Sequence, residues 1–138
     1  MTFTGSFGKN LDILQRSMDA SLLRREIIAD NIANSDTPNF KRSVLTFESA
    51  LKRALDSERK VRFPMLRTDP RHIEPDPVVD YRTVGAKRIL DYLTQSKNNG
   101  NNVDIEEEGM NALTNQLLYT TLAQVVSSEI QRVNIVLR

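Results

Sequence analysis

His72 is the single histidine of the chain, so a Ser-His-Asp site would have to be built on it, and a multi-histidine metal site is excluded within one chain. It stands in a proline-rich stretch, where an imidazole facing solvent or bonded to backbone is the ordinary outcome. The run Glu106-Glu107-Glu108 offers neighbouring carboxylates. Consecutive helical residues point to different faces, however, and the run suits the positive end of a helix dipole. Asp69, Asp76 and Asp80 read as turn and loop residues. The cluster Asn98-Asn99-Gly100-Asn101-Asn102 invites comparison with a calcium loop. Setting Gly100 at the invariant loop glycine puts Glu106 at the last ligand position but Gln95 and Lys97 at the first two, and a lysine ligand rules the site out. No phosphate-cradling pattern exists among the five glycines, and the absence of cysteine removes disulfide and thiolate chemistry without naming a compartment. Lys52, Arg53, Arg59, Lys60 and Arg62 form a basic stretch without interleaved aromatics, which reads as a solvated face. The expectation is a protein that is not an enzyme, with no cofactor, no metal and no nucleic-acid partner.

The elements that would position any site are sparse. A chain of 138 residues fits one small domain, and 19 Lys+Arg against 18 Asp+Glu leaves no global field. Five Phe, three Tyr and no Trp are a thin supply for a globular core. No apolar run is long enough to span a bilayer, so no direct membrane insertion is expected. Met1 to Asn10 lacks the basic start and apolar centre of a cleavable secretory signal.

The stretch from Ala29 to Arg42 organises the chain. A helical pattern runs into it and must stop, because Pro38 disfavours the α region at Thr37. Asn34 suits a left-handed helix end, while Ser35, Asp36 and Thr37 offer side chains to local backbone. Pro38 and Asn39 fit the two central positions of a turn, with Asn39 at positive φ, and Phe40 follows as an apolar anchor beside two cations.

Upstream, the spacing predicts a helix from Asn10, as N-cap, to Asn34. Leu11, Leu14, Met18, Leu22, Ala29 and Ile32 form its stripe, interrupted by Arg25 and widened by Leu23, Ile27 and Ile28. Downstream, Thr46 can cap a shorter helix with Phe47, Leu51, Ala54 and Leu55 on one face. Pro64, Pro70, Pro75 and Pro77 rule out a continuous helix from Val61 to Lys97. Within it Val78–Val84 is a candidate strand, and Arg88–Thr94 fits a helical turn or a strand. A second long helix starts at Asp104, with Glu107 placed as in a capping box. Its apolar rows run through Met110, Leu113 and Leu117, and through Leu118, Leu122, Val126, Ile130, Val133 and Leu137.

Asp30-Asn31-Ile32-Ala33-Asn34 followed by Thr37-Pro38-Asn39-Phe40 resembles the N-terminal signature of bacterial flagellar rod and hook proteins, whose commoner glycine stands where this chain has Asn39. Asp36 to Phe40 is the form associated with the proximal rod. Asn101 to Glu108, followed by Asn115 to Tyr119, resembles a C-terminal signature of the same family, departing from it at Gly109. Asp69 to Ile73 matches an internal segment. The resemblance implies a structural subunit of the proximal rod in the periplasmic space, exported without a cleaved signal peptide through the flagellar export apparatus. It also implies partners: the chain itself and the rod proteins FliE, FlgC and FlgF.

The fold expected is mainly α, with two long terminal helices pairing as an antiparallel coiled-coil-like hairpin around a short helix and an irregular or short-stranded middle. Residues 1–60 carry the first long helix, turn and short helix, 61–103 the middle, and 104–138 the second long helix. The expected assembly interface is Leu11, Leu14, Met18, Leu22, Ile28, Ile32, Leu118, Leu122, Val126, Ile130, Val133 and Leu137. The turn motif is Asn31, Asn34, Asp36, Thr37, Pro38, Asn39 and Phe40. A helical adaptor that binds a partner helix is the alternative from another class.

Overall fold

The computed structural model describes residues 5–60, 69, 71, 77–94 and 98–137. His72 and Asp76, weighed above, lie outside the described residues, as does most of the 61–76 stretch. The chain is mainly helical: α1 Ser6–Ala33, β1 Ser43–Thr46, α2 Glu48–Arg59, β2 Lys87–Leu90 and α3 Ile105–Val136, with a 3-10 turn at Tyr81–Thr83. The two strands form one two-stranded sheet. Contacts divide the chain into residues 1–45 with 88–138, and residues 46–87. Among the described residues, no helix is long and apolar enough to cross a membrane.

In the larger unit, α1 starts four residues before Asn10. Gly5, at φ 130°, is its N-cap, and the Lys9 amide donates to the Gly5 carbonyl. Nothing between Ser6 and Asn10 breaks a helix. Within the longer helix Asp12 pairs with Arg16 one turn on at 3.1 Å. At the other end Asn34 is not left-handed. Its φ is −102°, and its backbone and side-chain amides both donate to the Asp30 carbonyl, so the helix closes without a change of hand. Positive φ falls at Asn39 (60°), and the Phe40 amide returns to the Thr37 carbonyl, completing the expected turn around Pro38 and Asn39.

β1 alternates as a strand should: Ser43 and Leu45 are buried and Val44 is exposed. This strand claims Thr46, which therefore does not cap α2. The N-cap is Phe47, without a side-chain capping bond. Asp104 does cap α3, accepting from the Glu106 and Glu107 amides. The reciprocal half of a capping box is missing, because the Glu107 carboxylate goes to Arg42 instead. α1 and α3 pack together, and Ala20, Ile27, Ile28, Leu45 and Val103 are the buried apolar residues of this unit.

In the smaller unit, Phe47, Leu51 and Ala54 are buried on one face, as expected, and so is Tyr81. Val78–Val84 is not a strand. Asp80 accepts the Arg82 amide and Thr83 donates its hydroxyl back to the Asp80 carbonyl, a local alternative to ladder bonding that winds the 3-10 turn. Ser57 Oγ accepts the Val79 amide at 3.0 Å and donates to the Ala54 carbonyl. Lys52, Arg53, Arg59 and Lys60 are exposed, as a solvated face requires.

Candidate assembly interface

A buried polar knot lies where α1, β1, the loop 98–104 and α3 meet. Asn31 sits one turn before the helix end, so its amide projects into the fold rather than into the turn. Its Oδ1 accepts the Ser43 amide at 3.0 Å and its Nδ2 donates to the Ser43 carbonyl at 2.9 Å, bonding β1 as a second strand would. The same Nδ2 lies 3.3 Å from Glu108 Oε2.

Glu108 is 1% exposed. Arg42 reaches it from the far side of the turn, with Nε 2.7 Å from its Oε1, while Nη1 stands 2.7 Å from Glu107 Oε1. The Nε contact to Glu108 is a charge contact without hydrogen-bond alignment. Charge in so buried a place persists only when paired. The acidic run is therefore more than complementation of the helix dipole, since Glu107 and Glu108 both converge on one guanidinium.

Two asparagines of the expected turn cluster complete the knot. Asn101, fully buried, places Nδ2 2.9 Å from each of the Asn34, Ser35 and Thr37 carbonyls, which lie just past the end of α1. Its Oδ1 accepts the Val103 amide. Asn102 accepts the Arg42 amide at 2.6 Å and donates to the Asp91 carbonyl at 2.7 Å. Asp91 in turn holds its own loop, accepting the Thr94 hydroxyl and the Leu93 amide. These bonds, the Thr94 hydroxyl foremost, keep its carboxyl below the ordinary range.

Along the helices, Ser21 and Asn115 bond reciprocally: the Ser21 hydroxyl donates to Asn115 Oδ1, and Asn115 Nδ2 donates to the Ser21 carbonyl. From Glu108, at least half-buried positions of α3 recur at four and three residues, through Ala112, Asn115, Tyr119, Leu122, Val126, Glu129 and Val133, with Asn111 and Ala123 half-buried beside them. That is a heptad seam. Of the expected interface residues, Ile28 is buried, and Leu11, Leu14, Met18, Leu122, Val126 and Val133 are half-buried. Leu22, Ile32, Leu118, Ile130 and Leu137 are exposed. The row Met110, Leu113 and Leu117 lies on the opposite side of α3 from Glu108 and Asn115 and is also exposed. Of the turn motif, Asn31 is buried, Asn34 and Phe40 are half-buried, and Asp36, Thr37, Pro38 and Asn39 face solvent. Sequence reasoning missed Arg42, Asn101 and Asn102. The signal was present in part, as an asparagine cluster too dense for a turn that needs one or two.

Residues 11–41, which span most of α1 and the turn, match the family described as flagella basal body rod protein. The chain is similar to the flagellar basal body rod protein FlgB of Borrelia hermsii, 41% identical over 132 residues that cover 96% of this chain and 98% of that protein. It is similar to the FlgB of Borreliella burgdorferi at 38% identity, with the same coverage. Against the FlgB of Bacillus subtilis it is 27% identical over 95% of each chain.

Proposed function

The chain belongs to the FlgB family of flagellar basal body rod proteins and is a structural subunit of that rod; on that premise we propose that it builds the proximal rod by packing copies through α1 and α3. The two helices pair as an antiparallel coiled-coil-like hairpin. This is supported by the bonds Ser21–Asn115 and Asn31–Glu108, which move down α3 as they move up α1, and by the heptad seam. Carried on at that register, Ser6 comes level with about residue 130 of α3 at the usual helical rise.

The observation that carries the assembly reading is the last turn of α3. Val136 and Leu137 are 85% and 78% exposed, beyond that level. Aliphatic groups there are covered by neighbours or not at all, and each contributes roughly 1.5–3 kcal/mol when fully buried. In this reading the subunit is a scaffold rather than an enzyme. It leaves the cell unfolded through the flagellar type III export apparatus without a cleaved signal and stands in the periplasmic space. It transmits torque through contacts with its own copies and with FliE, FlgC and FlgF.

Val136→Asp tests this. The variant folds as wild type, because Val136 touches little in the monomer, and it is made and exported normally. It fails to enter the rod, and motility stops. Wild-type swimming of Val136→Asp cells would sink the proposal.

A further inference from the structure

Asn99-Gly100 is the single Asn-Gly pair of the chain, and Asn99 is exposed to water in the loop that closes over the Pro38–Asn39 turn. Three contacts hold that loop in place. The Asn99 carbonyl accepts the Asn39 amide at 3.0 Å, and the Gly100 carbonyl accepts Lys41 Nζ at 2.7 Å. Asn99 Oδ1 accepts the Asn101 amide at 3.1 Å. This last bond folds the Asn99 side chain forward over the Gly100 peptide unit, as in an Asx turn.

The arrangement suits attack on the Asn99 side chain by the next backbone nitrogen. An N–H aimed at Oδ1 stabilises the charge that collects on that oxygen when a nucleophile adds to Cγ. Gly100 has no Cβ to crowd its own amide nitrogen. Every other asparagine of the chain precedes a residue with a side chain. Several are also sequestered: Asn31, Asn101, Asn102 and Asn115 are buried, and Asn34 is tied by its side-chain amide to the Asp30 carbonyl at 2.8 Å.

We propose that Asn99 is a site of spontaneous deamidation, and that the modification opens the clasp between this loop and the turn. The Gly100 nitrogen forms a bond to Asn99 Cγ, the Cγ–Nδ2 bond breaks, and Nδ2 leaves as ammonia with the proton that Gly100 gives up. Water then opens the cyclic imide, with no change of oxidation state. Addition at Cγ gives aspartate, and addition at the backbone carbonyl gives isoaspartate. Isoaspartate adds one carbon to the backbone, about 1.5 Å. Asn101 shares one nitrogen among three carbonyls at 2.9 Å, and a shift of that size takes such bonds out of range. An aged chain thereby differs from a new one in the order of the segment that ends α1.

Full-length folded protein is incubated at mildly alkaline pH beside a sample unfolded in guanidinium, and digests of both are followed by mass spectrometry. In the folded sample the peptide holding Asn99 is expected to exchange amide for acid before any other asparagine peptide, with isoaspartate the larger product. The formal charge of +1 is then neutralised, which separates the modified chains by ion exchange. Amide exchange at Asn39 and Val103 is expected to be faster in the isoaspartate fraction. Asn99→Asp carries the new charge on an unaltered backbone, keeps an acceptor for the Asn101 amide, and leaves exchange at Val103 unchanged. If Asn99 reacts in the unfolded sample but stays intact in the folded one, the fold protects the site and the proposal fails. It fails equally if another asparagine reacts first. An isoaspartate fraction that exchanges like the parent would show that the modification does not open the clasp.

Discussion

Asn31 of α1 and Glu108 of α3 meet at 3.3 Å with both side chains buried, although 77 residues separate them in sequence. Asn31 also bonds both backbone groups of Ser43, so one amide ties α1 to β1 and to α3. A polar contact of this kind fixes register more firmly than aliphatic packing, because a slip of the helices leaves an amide and a carboxylate buried and unpaired.

The first consequence concerns the acidic run. Glu108→Ala removes the buried partner of Arg42, which is itself only 16% exposed. Breaking a buried pair costs about 3–5 kcal/mol, and the lower end applies because Glu107 still holds Arg42. Glu107→Ala, at a half-exposed site, costs below about 1 kcal/mol. Urea midpoints of the two variants decide this; equal midpoints would mean that Glu108 is not the anchor.

Asn101→Ala removes the buried amide that the Asn34, Ser35 and Thr37 carbonyls share, leaving the Thr37 and Phe40 amides on two of them. A buried unsatisfied group costs about 1–3 kcal/mol, and Asn101→Asp restores size but supplies acceptors where donors are needed. Asn101→Ala is expected to speed amide exchange at Val103, whose N–H is held by Asn101 Oδ1 at 2.7 Å, while Asn101→Asp keeps that acceptor and loses only the donors to the three carbonyls. Unchanged exchange in Asn101→Ala would refute the clamp.

The long helices and the Pro38–Asn39 turn were legible because periodicity and proline geometry are local. The polar knot was not, since its bonds join positions such as Arg42 and Glu108, and no local pattern announces which carboxylate a guanidinium reaches. Thr46 and Asp80 show the same limit from the other side: each has a good local role, but pairing of β1 overrode Thr46 as a cap, and Asp80 overrode a strand. Along α3 the two apolar rows were visible, but which row faced α1 was not. That choice is made by Asn115 and Glu108, polar residues in the seam. Ile27, one place along from the expected Ile28, is the more deeply buried of the two.

Asp91 yields a prediction in pH. Its folded-state pKa lies below the ordinary carboxylate value, with the Thr94 hydroxyl as the largest cause. A depressed carboxylate stabilises the fold above its unfolded pKa, and that contribution disappears as pH falls through the folded pKa. What Asp91 contributes to order in the 91–94 loop therefore declines as pH falls from its ordinary value through its lowered folded-state value. Thr94→Val should return the Asp91 titration toward the ordinary value when followed by carboxyl NMR. An unmoved midpoint would assign the shift to another group.

The last prediction joins the turn to the loop that covers it. Asn39 holds φ 60°, and its amide donates to the Asn99 carbonyl at 3.0 Å. Gly100, at φ 77°, lies so close that a Cβ there would fall 2.7 Å from Asn39 Oδ1. Asn39→Val puts a β-branched residue at positive φ and should cost about 1–2 kcal/mol or more. Asn39→Gly suits that φ and should stay within about 1 kcal/mol of wild type. Gly100→Ala meets two penalties, positive φ and the Asn39 side chain. Asn39→Gly removes only the second, so the double variant Asn39→Gly/Gly100→Ala should be more stable than the sum of the single changes, by about 0.5–3 kcal/mol. Thermal or urea unfolding of the four proteins measures that coupling. Strict additivity would show that Asn39 swings away at no cost, and that the turn and the loop are not packed together as the structure has them.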